Sequence, residues 1–491
     1  MAEKTASPSM RWVVVLAGLG INLALGVLYT WSVVTATLTK TFKLGADGMP
    51  LPGTAPGTFQ GVAKVAGVEK ISDVKIAAAV LADKAFGWTA LEALYPYAIA
   101  LLAFGIMMAF AGRLQDKYGP RLIASIGGVF VGAGMILSSF NNMASTGSHL
   151  LIQVGFGLLT GMGIGLAYAC ATPAAVKWFH PSQKGIITGS VVAGFGLASV
   201  YTAPLTTWLI STKGVSGMFS TLGIAFTISI IVCAQFLRNP PAGYVCPVPA
   251  KVTNKAANAK PSAVTHAAKD YTWQEMVKTP QFWLLWFMYA STAFAGLMMV
   301  GIVSKVATDF FGPTGPHPVA EWASYKTFGL ALGKAYWFTV ALAVGNGIGR
   351  PIAGMVSDSI GRVKTMMIVF LAQAVLVGFG VAGSASSMTM LLVVGALIGA
   401  MYGSLLTLFP ATTFDFFGLK NGGVNYGIVF TAWGVGGSIG NYIAGFAKTM
   451  WGSFNNAYYI AAALCVVAAV LAVAVKAPAA APVAETETAT A

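Results

Sequence analysis

About twelve apolar runs, each of roughly 18 residues or more, divide this chain of 491 residues. A helix of that length crosses about 30 Å of hydrocarbon, since each residue adds about 1.5 Å along its axis. The runs centre near Leu25, Ala100, Val131, Gly161, Gly194, Ile228, Ala293, Ala343, Ala372, Gly399, Ala432 and Val466. The pattern therefore predicts an all-α membrane protein with twelve transmembrane helices.

The composition points to lipid as the main solvent of the fold. Hydrophobic residues make up 56% of the chain and charged residues only 9%, a balance that a water-soluble globule of this length could not carry on its surface. The net charge of +14 is spread along loops without a recognisable nucleic-acid-binding motif. We therefore expect a lipid bilayer as the partner of this surface, and no nucleic acid.

The distribution of Lys and Arg predicts the orientation of the chain. With both termini inside, 17 of the 29 basic residues lie on the inner side, 11 lie outside and Arg350 lies within a span. The first apolar run begins after Arg11 and has no small-residue cleavage site behind it, so it reads as a retained span. The positive-inside rule then predicts a multi-pass protein of the cytoplasmic membrane with cytoplasmic termini.

Composition shifts along the chain predict its domain organisation. Residues 1–238 form an N-terminal six-helix bundle with a long outer loop at 40–86, and residues 279–476 form a C-terminal six-helix bundle. Residues 239–278, rich in Pro, Ala and Lys, form a cytoplasmic linker. Residues 477–491 lack large apolar side chains, and we expect this tail to be disordered.

The two halves repeat each other. The stretch GRLQDKYGPR follows the second run, and GMVSDSIGR follows the eighth. Same-orientation repeats of about six helices are a transporter architecture. An aspartate in these loops can accept hydrogen bonds from helix N-termini or pair with a neighbouring arginine, which would hold a cytoplasmic gate in one state. The predicted gating residues are Gly112, Asp116, Arg121, Gly354, Asp358 and Arg362.

Arg350 is the most informative residue, because no other charge occurs between Lys334 and Asp358. A guanidinium cannot lose its proton, and burying it costs at least a few kcal/mol unless an anion or carbonyl groups meet it. The carboxylates of the chain lie in loops, in the tail or at span ends, with Glu92 nearest to an interior position. An unpaired arginine offers a bidentate fork to a carboxylate, so Arg350 is predicted to bind an anionic substrate.

Polar and aromatic residues inside other spans could complete a cage around that anion. Each of them alone is more often a packing residue than a ligand. The candidates are Asn22, Tyr29, Trp31, Tyr168, Asn346, Tyr402 and Trp433.

The sequence does not show the residue patterns of disulfide frameworks, metal sites, catalytic sites or nucleotide-binding loops. The four cysteines have no paired spacing, and the four histidines lie at loops or span edges without ligand spacing, so neither a disulfide framework nor a metal site is predicted. Catalytic constellations and a phosphate-binding Gly-Lys-Thr/Ser loop are both missing. We therefore expect no enzyme and no cofactor, and a monomer that carries a small carboxylate.

The paired loop signatures resemble those of the major facilitator superfamily over almost the whole chain. The stretches NLALGVLYTWSV, PAAVKWF, LRNPPAGY, KTPQFWLLW, GNGIGR, FPATTFDFFG and NYGIVFTAWG resemble the oxalate/formate antiporter family, which is similar to monocarboxylate transporters. The resemblance implies two six-helix bundles related by pseudo-two-fold symmetry. It also implies that Arg350 matches the substrate-binding arginine, with Tyr29 and Tyr168 among the cage aromatics.

Two departures from the family pattern shape the expected substrate. The lysine that oxalate exchangers add in helix eleven falls at Trp433, so a monocarboxylate of the formate, acetate, lactate or pyruvate type is favoured. Monocarboxylate symporters place an acid four residues before the arginine, where this chain has Asn346, which favours exchange or substrate-borne coupling. The alternatives are an oxalate/formate-type dicarboxylate exchanger and a proton-driven exporter of hydrophobic compounds.

Overall fold

The computed structural model describes residues 8–39, 88–141, 148–180, 184–241, 244, 246, 269–311, 326–327, 330–331, 334–418 and 420–478. The predicted outer loop at 40–86 lies outside the described residues. So do most of the predicted linker and the predicted tail from residue 479 onward.

Twelve helical segments, numbered here as spans 1 to 12, coincide with the twelve predicted runs within the described ranges. Span 1 consists of Pro8–Leu25, a 3₁₀ turn Gly26–Thr30 and Trp31–Leu38, span 2 is Ala90–Tyr118, and span 3 is Pro120–Ser139. Span 4 consists of Ser148–Ile152, a π-helical stretch Gln153–Thr160 and Gly161–Val176. Span 5 begins with Lys184–Leu197 and continues into the helix Ser199–Ala234, which turns at Gly214 and then forms span 6.

The second six spans follow a short helix, Trp273–Met276. They are Pro280–Phe311; Tyr336–Ile360; Arg362–Val375 continued by a π-helical stretch Leu376–Gly380 and by Val381–Gly383; Met388–Phe417; Gly422–Trp451; and Asn455–Ala474. A two-stranded antiparallel ladder, β1 (Lys326–Thr327) and β2 (Leu330–Ala331), lies between spans 7 and 8.

By length and composition, nine helices of the described part are long and apolar enough to cross a membrane. One of the nine, Ile186–Ala234, contains both span 5 and span 6. The two spans outside this set are Tyr336–Ile360 and Gly422–Trp451, which are rich in Gly and carry buried Asn side chains. The least apolar spans are therefore span 8, which contains Arg350, and span 11, which contains Trp433.

The repeated loops adopt the same backbone conformation in both halves. Gly119 joins spans 2 and 3 with φ 86° and ψ 152°, and Gly361 joins spans 8 and 9 with φ 96° and ψ 154°. A positive φ of this kind strains any residue with a Cβ, so glycine is required at both loops. The repeat predicted from the sequence thus holds at the level of dihedral angles.

The two halves contact each other mainly through three pairs of spans: 2 with 11, 5 with 8 and 1 with 7. Spans 2 and 11 approach closely at Gly105 and Gly434, where a Cβ built on Gly105 would lie 2.9 Å from the Gly434 Cα. Small residues let helices in a membrane pack at backbone distance, where van der Waals contact is largest. Spans 2 and 11 therefore pack at backbone distance at this part of the interface between the halves.

We call the side where span 6 ends and span 7 begins the linker side, and the opposite side the far side. On the far side, side-chain hydroxyl groups of the two halves form hydrogen bonds with each other. Thr339 of span 8 hydrogen-bonds Ser32 of span 1 at 2.6 Å and Ser304 of span 7 at 2.7 Å. Val33, Ala203 and Val340 form an apolar cluster beside them. These contacts join both halves on the far side of Arg350.

On the linker side, the chain entering span 7 is anchored to the second half. The Tyr271 carbonyl accepts hydrogen bonds from Asn421 at 2.9 Å and Asn425 at 3.0 Å. Glu275 caps the short helix through Thr272, and its hydrogen bond from Lys269 lowers its pKa to about 2.

Candidate functional site

Arg350 lies in the middle of span 8 and is 1% exposed, which makes it the only buried charged side chain among the described residues. No described carboxylate forms an ion pair with it. Its Nη1 donates a hydrogen bond to the main-chain carbonyl of Val192 in span 5 at 2.8 Å. The positive charge of the site therefore has hydrogen-bond acceptors around it but no counterion.

Asn346 lies one helical turn before Arg350 and holds its guanidinium. The Asn346 Oδ1 accepts hydrogen bonds from Arg350 Nε and Nη2, both at 3.2 Å. The Asn346 Nδ2 is buried and has no hydrogen-bond partner. Arginine has five N–H donors, and the three bonds at Arg350 use three of them. Buried donors of both side chains thus remain available, and a buried donor without an acceptor is costly.

Tyr29, Tyr402 and Trp433 form a hydrogen-bonded chain across spans 1, 10 and 11. The Trp433 Nε1 donates to the Tyr402 hydroxyl at 2.9 Å, and the Tyr402 and Tyr29 hydroxyls are 2.5 Å apart. An indole N–H can only donate, so Tyr402 is an acceptor on that side and is free to donate its own proton to Tyr29. The Tyr29 hydroxyl lies beside Asn346 and feels the charge of Arg350.

Aromatic rings surround this polar group. Tyr168 faces Arg350 and contacts Phe104 and Phe195, with 5.3 Å between ring centroids in each case. Phe430 stacks on Trp433 at 4.8 Å. These rings make the surroundings of Arg350 apolar apart from the hydrogen-bonded groups described above. Such a site suits a small molecule with one anionic group and a compact apolar remainder.

The predicted residues do not all meet at this place. Tyr29, Tyr168, Asn346, Tyr402 and Trp433 join the group around Arg350. Trp31 instead stacks on Phe156 at 4.2 Å and donates from Nε1 to the Ala93 carbonyl at 2.9 Å, so the structure places it in the packing of the first half.

The sequence reasoning missed the phenylalanines Phe104, Phe195 and Phe430, because a phenylalanine inside an apolar span looks the same whether it packs against lipid or against a substrate. Phe430 lies three residues before the candidate Trp433 in the chain, which is a weak signal, and Phe104 and Phe195 have no candidate residue beside them in the sequence. Asn22, another candidate, donates to the Gly18 carbonyl of its own helix at 2.9 Å.

The predicted gating residues are arranged differently in the two halves. In the first half, Asp116 pairs with Lys177 at the end of span 4, with 3.5 Å between the charged atoms, rather than with an arginine. Both side chains are about half exposed, so this pair contributes little. Arg121 is exposed, and Gly112 approaches the Gly423 carbonyl across the interface.

In the second half, Arg362 joins two carboxylates. It pairs with Asp358 at 2.6 Å and with Asp415 at the end of span 10 at 3.0 Å. Arg362 and Asp415 are 18% and 15% exposed, so their pair is better shielded from solvent than its counterpart. Gly354 lies within 3.6 Å of Thr407 of its own half when a Cβ is built on it. The sequence repeat is therefore not a repeat of ion pairs.

Metal chemistry has no obvious place among the described residues, which contain no group of three His, Cys, Asp or Glu side chains able to hold an ion. The four cysteines are free.

Comparisons with known proteins agree with this architecture. The chain matches the Major Facilitator Superfamily over residues 71–316 and 306–490. It is 30% identical over 365 residues to an oxalate:formate antiporter of Oxalobacter formigenes, and the aligned region covers 74% of this chain and 77% of that protein. A monocarboxylate transporter 13 of Rattus norvegicus is 30% identical over 140 residues, covering 28% of this chain and 31% of that protein.

A solved structure gives the same fold. The chain superimposes on the partially occluded inward open conformation of the xylose transporter XylE from E. coli with a TM-score of 0.56 and 14% identity. The match covers 94% of this chain and 97% of that one. At this identity the likeness concerns the fold alone. The fold and the relatives are those of transporters, not of enzymes.

Proposed function

This chain belongs to the major facilitator superfamily, within its oxalate/formate antiporter family, and we propose that it transports small monocarboxylates that bind through their carboxylate to Arg350. It is a multi-pass membrane transporter with the fold of that superfamily. The proposal concerns its substrate class, its binding residues and its mode of coupling. It assigns the binding role to Arg350, Asn346, Tyr29, Tyr168, Tyr402 and Trp433.

The observation that carries the proposal is the buried Arg350, which is 1% exposed and has no described carboxylate as an ion-pair partner. A permanent charge at this depth is costly unless an anion arrives to meet it. Its guanidinium presents a planar fork of N–H donors, which includes the Nη1 group now bonded to Val192, and such a fork fits the two oxygens of a carboxylate. An empty carrier with this site is therefore poised to bind an organic anion.

The surroundings of Arg350 favour one negative charge on the substrate. Trp433 is fully buried where the family resemblance places a second cation, and its ring packs on Phe104 with 5.0 Å between centroids. A second carboxylate would meet aromatic rings here and lose its hydration without compensation. A monocarboxylate with a short apolar or hydroxylated remainder fits better than oxalate.

Coupling is proposed to occur by exchange, or by a proton carried on the substrate. The position one turn before Arg350 holds Asn346, an amide without a proton to give in this pH range. Glu92, the described acidic residue nearest to a span interior in the sequence, caps the far end of span 2 through Thr89. Neither residue offers an obvious proton carrier at the binding site.

We further propose that the protein works as a monomer in the cytoplasmic membrane with both termini in the cytoplasm. Two six-helix bundles, residues 1–238 and 279–476, would rock about the central site. The carboxylate substrate and the lipid bilayer would be its partners, and it would need no cofactor.

Transport by purified protein in liposomes tests the proposal. Uptake of a labelled monocarboxylate should compete with unlabelled formate, acetate, lactate and pyruvate, and only weakly with oxalate. Arg350→Ala and Arg350→Lys should abolish uptake, because the first removes the charge and the second removes the fork. Lys213→Ala is a matched control, since Lys213 is an exposed cation on the far side.

Three outcomes would contradict parts of the proposal. Normal uptake by both Arg350 variants would refute the site. Preferential competition by oxalate would favour the dicarboxylate exchanger. Export of hydrophobic compounds without any carboxylate uptake would favour an exporter that uses the aromatic cage.

A further inference from the structure

Span 5 contributes its main chain to the surroundings of Arg350. The Val192 carbonyl accepts the hydrogen bond from Arg350 Nη1 at 2.8 Å, and both residues are buried. Gly196 lies one helical turn further along span 5, on the same face as Val192. A Cβ built on Gly196 would lie 3.2 Å from Arg350 Nη2, 3.3 Å from Arg350 Nε and 3.3 Å from Asn346 Oδ1.

The bond to Val192 crosses the interface between the two halves. Span 5 belongs to the first half and span 8 to the second, so the guanidinium is tied to its own helix through Asn346 and to the opposite half through Val192. A carboxylate is the stronger acceptor for a guanidinium, because both partners are then charged and two parallel bonds can form. A carboxylate that engages this fork would compete with the carbonyl of span 5 for the same donors.

We infer that, in the empty carrier, the Val192 carbonyl accepts the hydrogen bond from Arg350 that the substrate carboxylate accepts when it is bound. Gly196 is then a positioning residue, because its lack of a side chain leaves room for the Arg350–Asn346 pair. This inference rests on the proposed carboxylate site. In the empty carrier the guanidinium then holds spans 5 and 8 together. Substrate binding exchanges this bond between the halves for a bond to the substrate.

The exchange of partners has a kinetic consequence. An empty carrier must break the Arg350–Val192 bond to change sides, whereas a loaded carrier has already broken it. A hydrogen bond to a charged group corresponds to roughly a tenfold to hundredfold difference in rate. We expect homoexchange of a labelled monocarboxylate to exceed its net efflux into substrate-free buffer by about that factor.

Gly196→Ala tests the role of span 5 in liposomes loaded with a labelled monocarboxylate. The added methyl group must push three atoms of the Arg350–Asn346 pair by a few tenths of an ångström, which weakens the bond to Val192. The same shift displaces the guanidinium from its position for the substrate carboxylate, so we expect substrate binding to weaken by about threefold to tenfold even though the Val192 carbonyl competes less. The ratio of exchange to net efflux should fall at least about threefold, because the empty carrier is less restrained.

Gly189→Ala is the matched control on the same helix, since a Cβ on Gly189 would meet nothing within 4 Å. Both of its rates should equal those of the wild type. A purely structural effect of Gly196→Ala would lower exchange and net efflux in parallel and leave their ratio unchanged, and that result would overturn the inference.

The wild type alone gives a second test that does not depend on folding of the variant. Net efflux as fast as exchange at saturating substrate would overturn the inference while leaving the proposed function intact. Wild-type protein that neither binds nor transports any carboxylate would overturn both.

Discussion

Replacing Asn346 by Asp adds a negative charge beside Arg350 with almost no change in shape. The Asn346 Oδ1 lies 3.2 Å from both Nε and Nη2 of Arg350, so a carboxylate oxygen at this place would form an ion pair with the guanidinium. The introduced group would be charged at neutral pH, because the guanidinium of Arg350 within hydrogen-bond distance stabilises the carboxylate form. The site would then carry no net charge.

The size of the effect follows from the distance. Two unit charges about 4 Å apart interact by about 4 kcal/mol at an effective dielectric constant of 20, which corresponds to a change of about a thousandfold in Kd. The substrate carboxylate would lose an attraction of this order, so we expect affinity at pH 7.5 to fall by at least about a hundredfold.

The variant should also acquire a pH dependence that the wild type lacks. Binding requires the introduced carboxyl group to be protonated, so affinity should rise by up to about tenfold for each unit by which the pH falls. Equilibrium binding of a labelled monocarboxylate at pH 7.5, 6.5 and 5.5 measures this, with Asn455→Asp at the exposed start of span 12 as the control. Wild-type affinity in the Asn346 variant at pH 7.5, or a weakening that is equal at every pH, would refute the reasoning.

Three further predictions concern stability, each measured by thermal unfolding of the purified protein. Tyr402→Phe should lower the free energy of unfolding by about 1–3 kcal/mol, because the buried Trp433 indole loses its hydrogen-bond acceptor. Tyr459→Phe, at an exposed position, should change the free energy of unfolding little. Gly361→Ala should lower the free energy of unfolding by about 1–2 kcal/mol, because Gly361 has a φ of 96°. Gly383→Ala is the control, since a Cβ on Gly383 would also meet nothing within 4 Å but its φ is not positive, and it should change stability little. Equal effects of the two substitutions would contradict the backbone argument. Asp415→Asn should destabilise more than Asp116→Asn, since the first breaks a mostly shielded pair and the second an exposed one.

Helix positions could be predicted from the sequence because length and apolarity are properties of each run by itself. All twelve predicted centres fall within the helices described. The same holds for the repeat at Gly119 and Gly361, since a positive φ restricts the residue type directly. The domain boundaries themselves stay predictions, because most of the linker lies outside the described residues.

Contacts between helices could be predicted only where one residue had an unusual chemical need. Arg350 was identifiable because a buried charge demands partners, and Asn346 because it lies one turn away on the same helix. Trp31 could not be told from Tyr29, because Tyr29 lies in the 3₁₀ turn Gly26–Thr30 and Trp31 follows it, and such a turn changes the direction of side chains relative to a regular helix.

The ion-pair partners of the gating loops were also beyond the sequence. The charge on the neighbouring helix is reversed between the halves: Lys177 follows span 4, whereas Asp415 ends span 10. A matched loop motif therefore does not predict a matched partner. The hydroxyl contacts on the far side were equally hidden, because Ser and Thr inside a helix often bond to the carbonyl four residues earlier.

The low hydropathy of spans 8 and 11 has a consequence for how this protein is made. An arginine at the centre of a helix adds about 2.5–3.5 kcal/mol to the free energy of insertion into the membrane during synthesis. Span 8 contains this arginine and also the polar side chain of Asn346, and both make its insertion less favourable. Span 10, which makes the most contacts with span 8, is translated after it. Insertion of span 8 would therefore depend on helices that are synthesised after it, so the residues proposed to bind the substrate also make the second half harder to insert into the membrane.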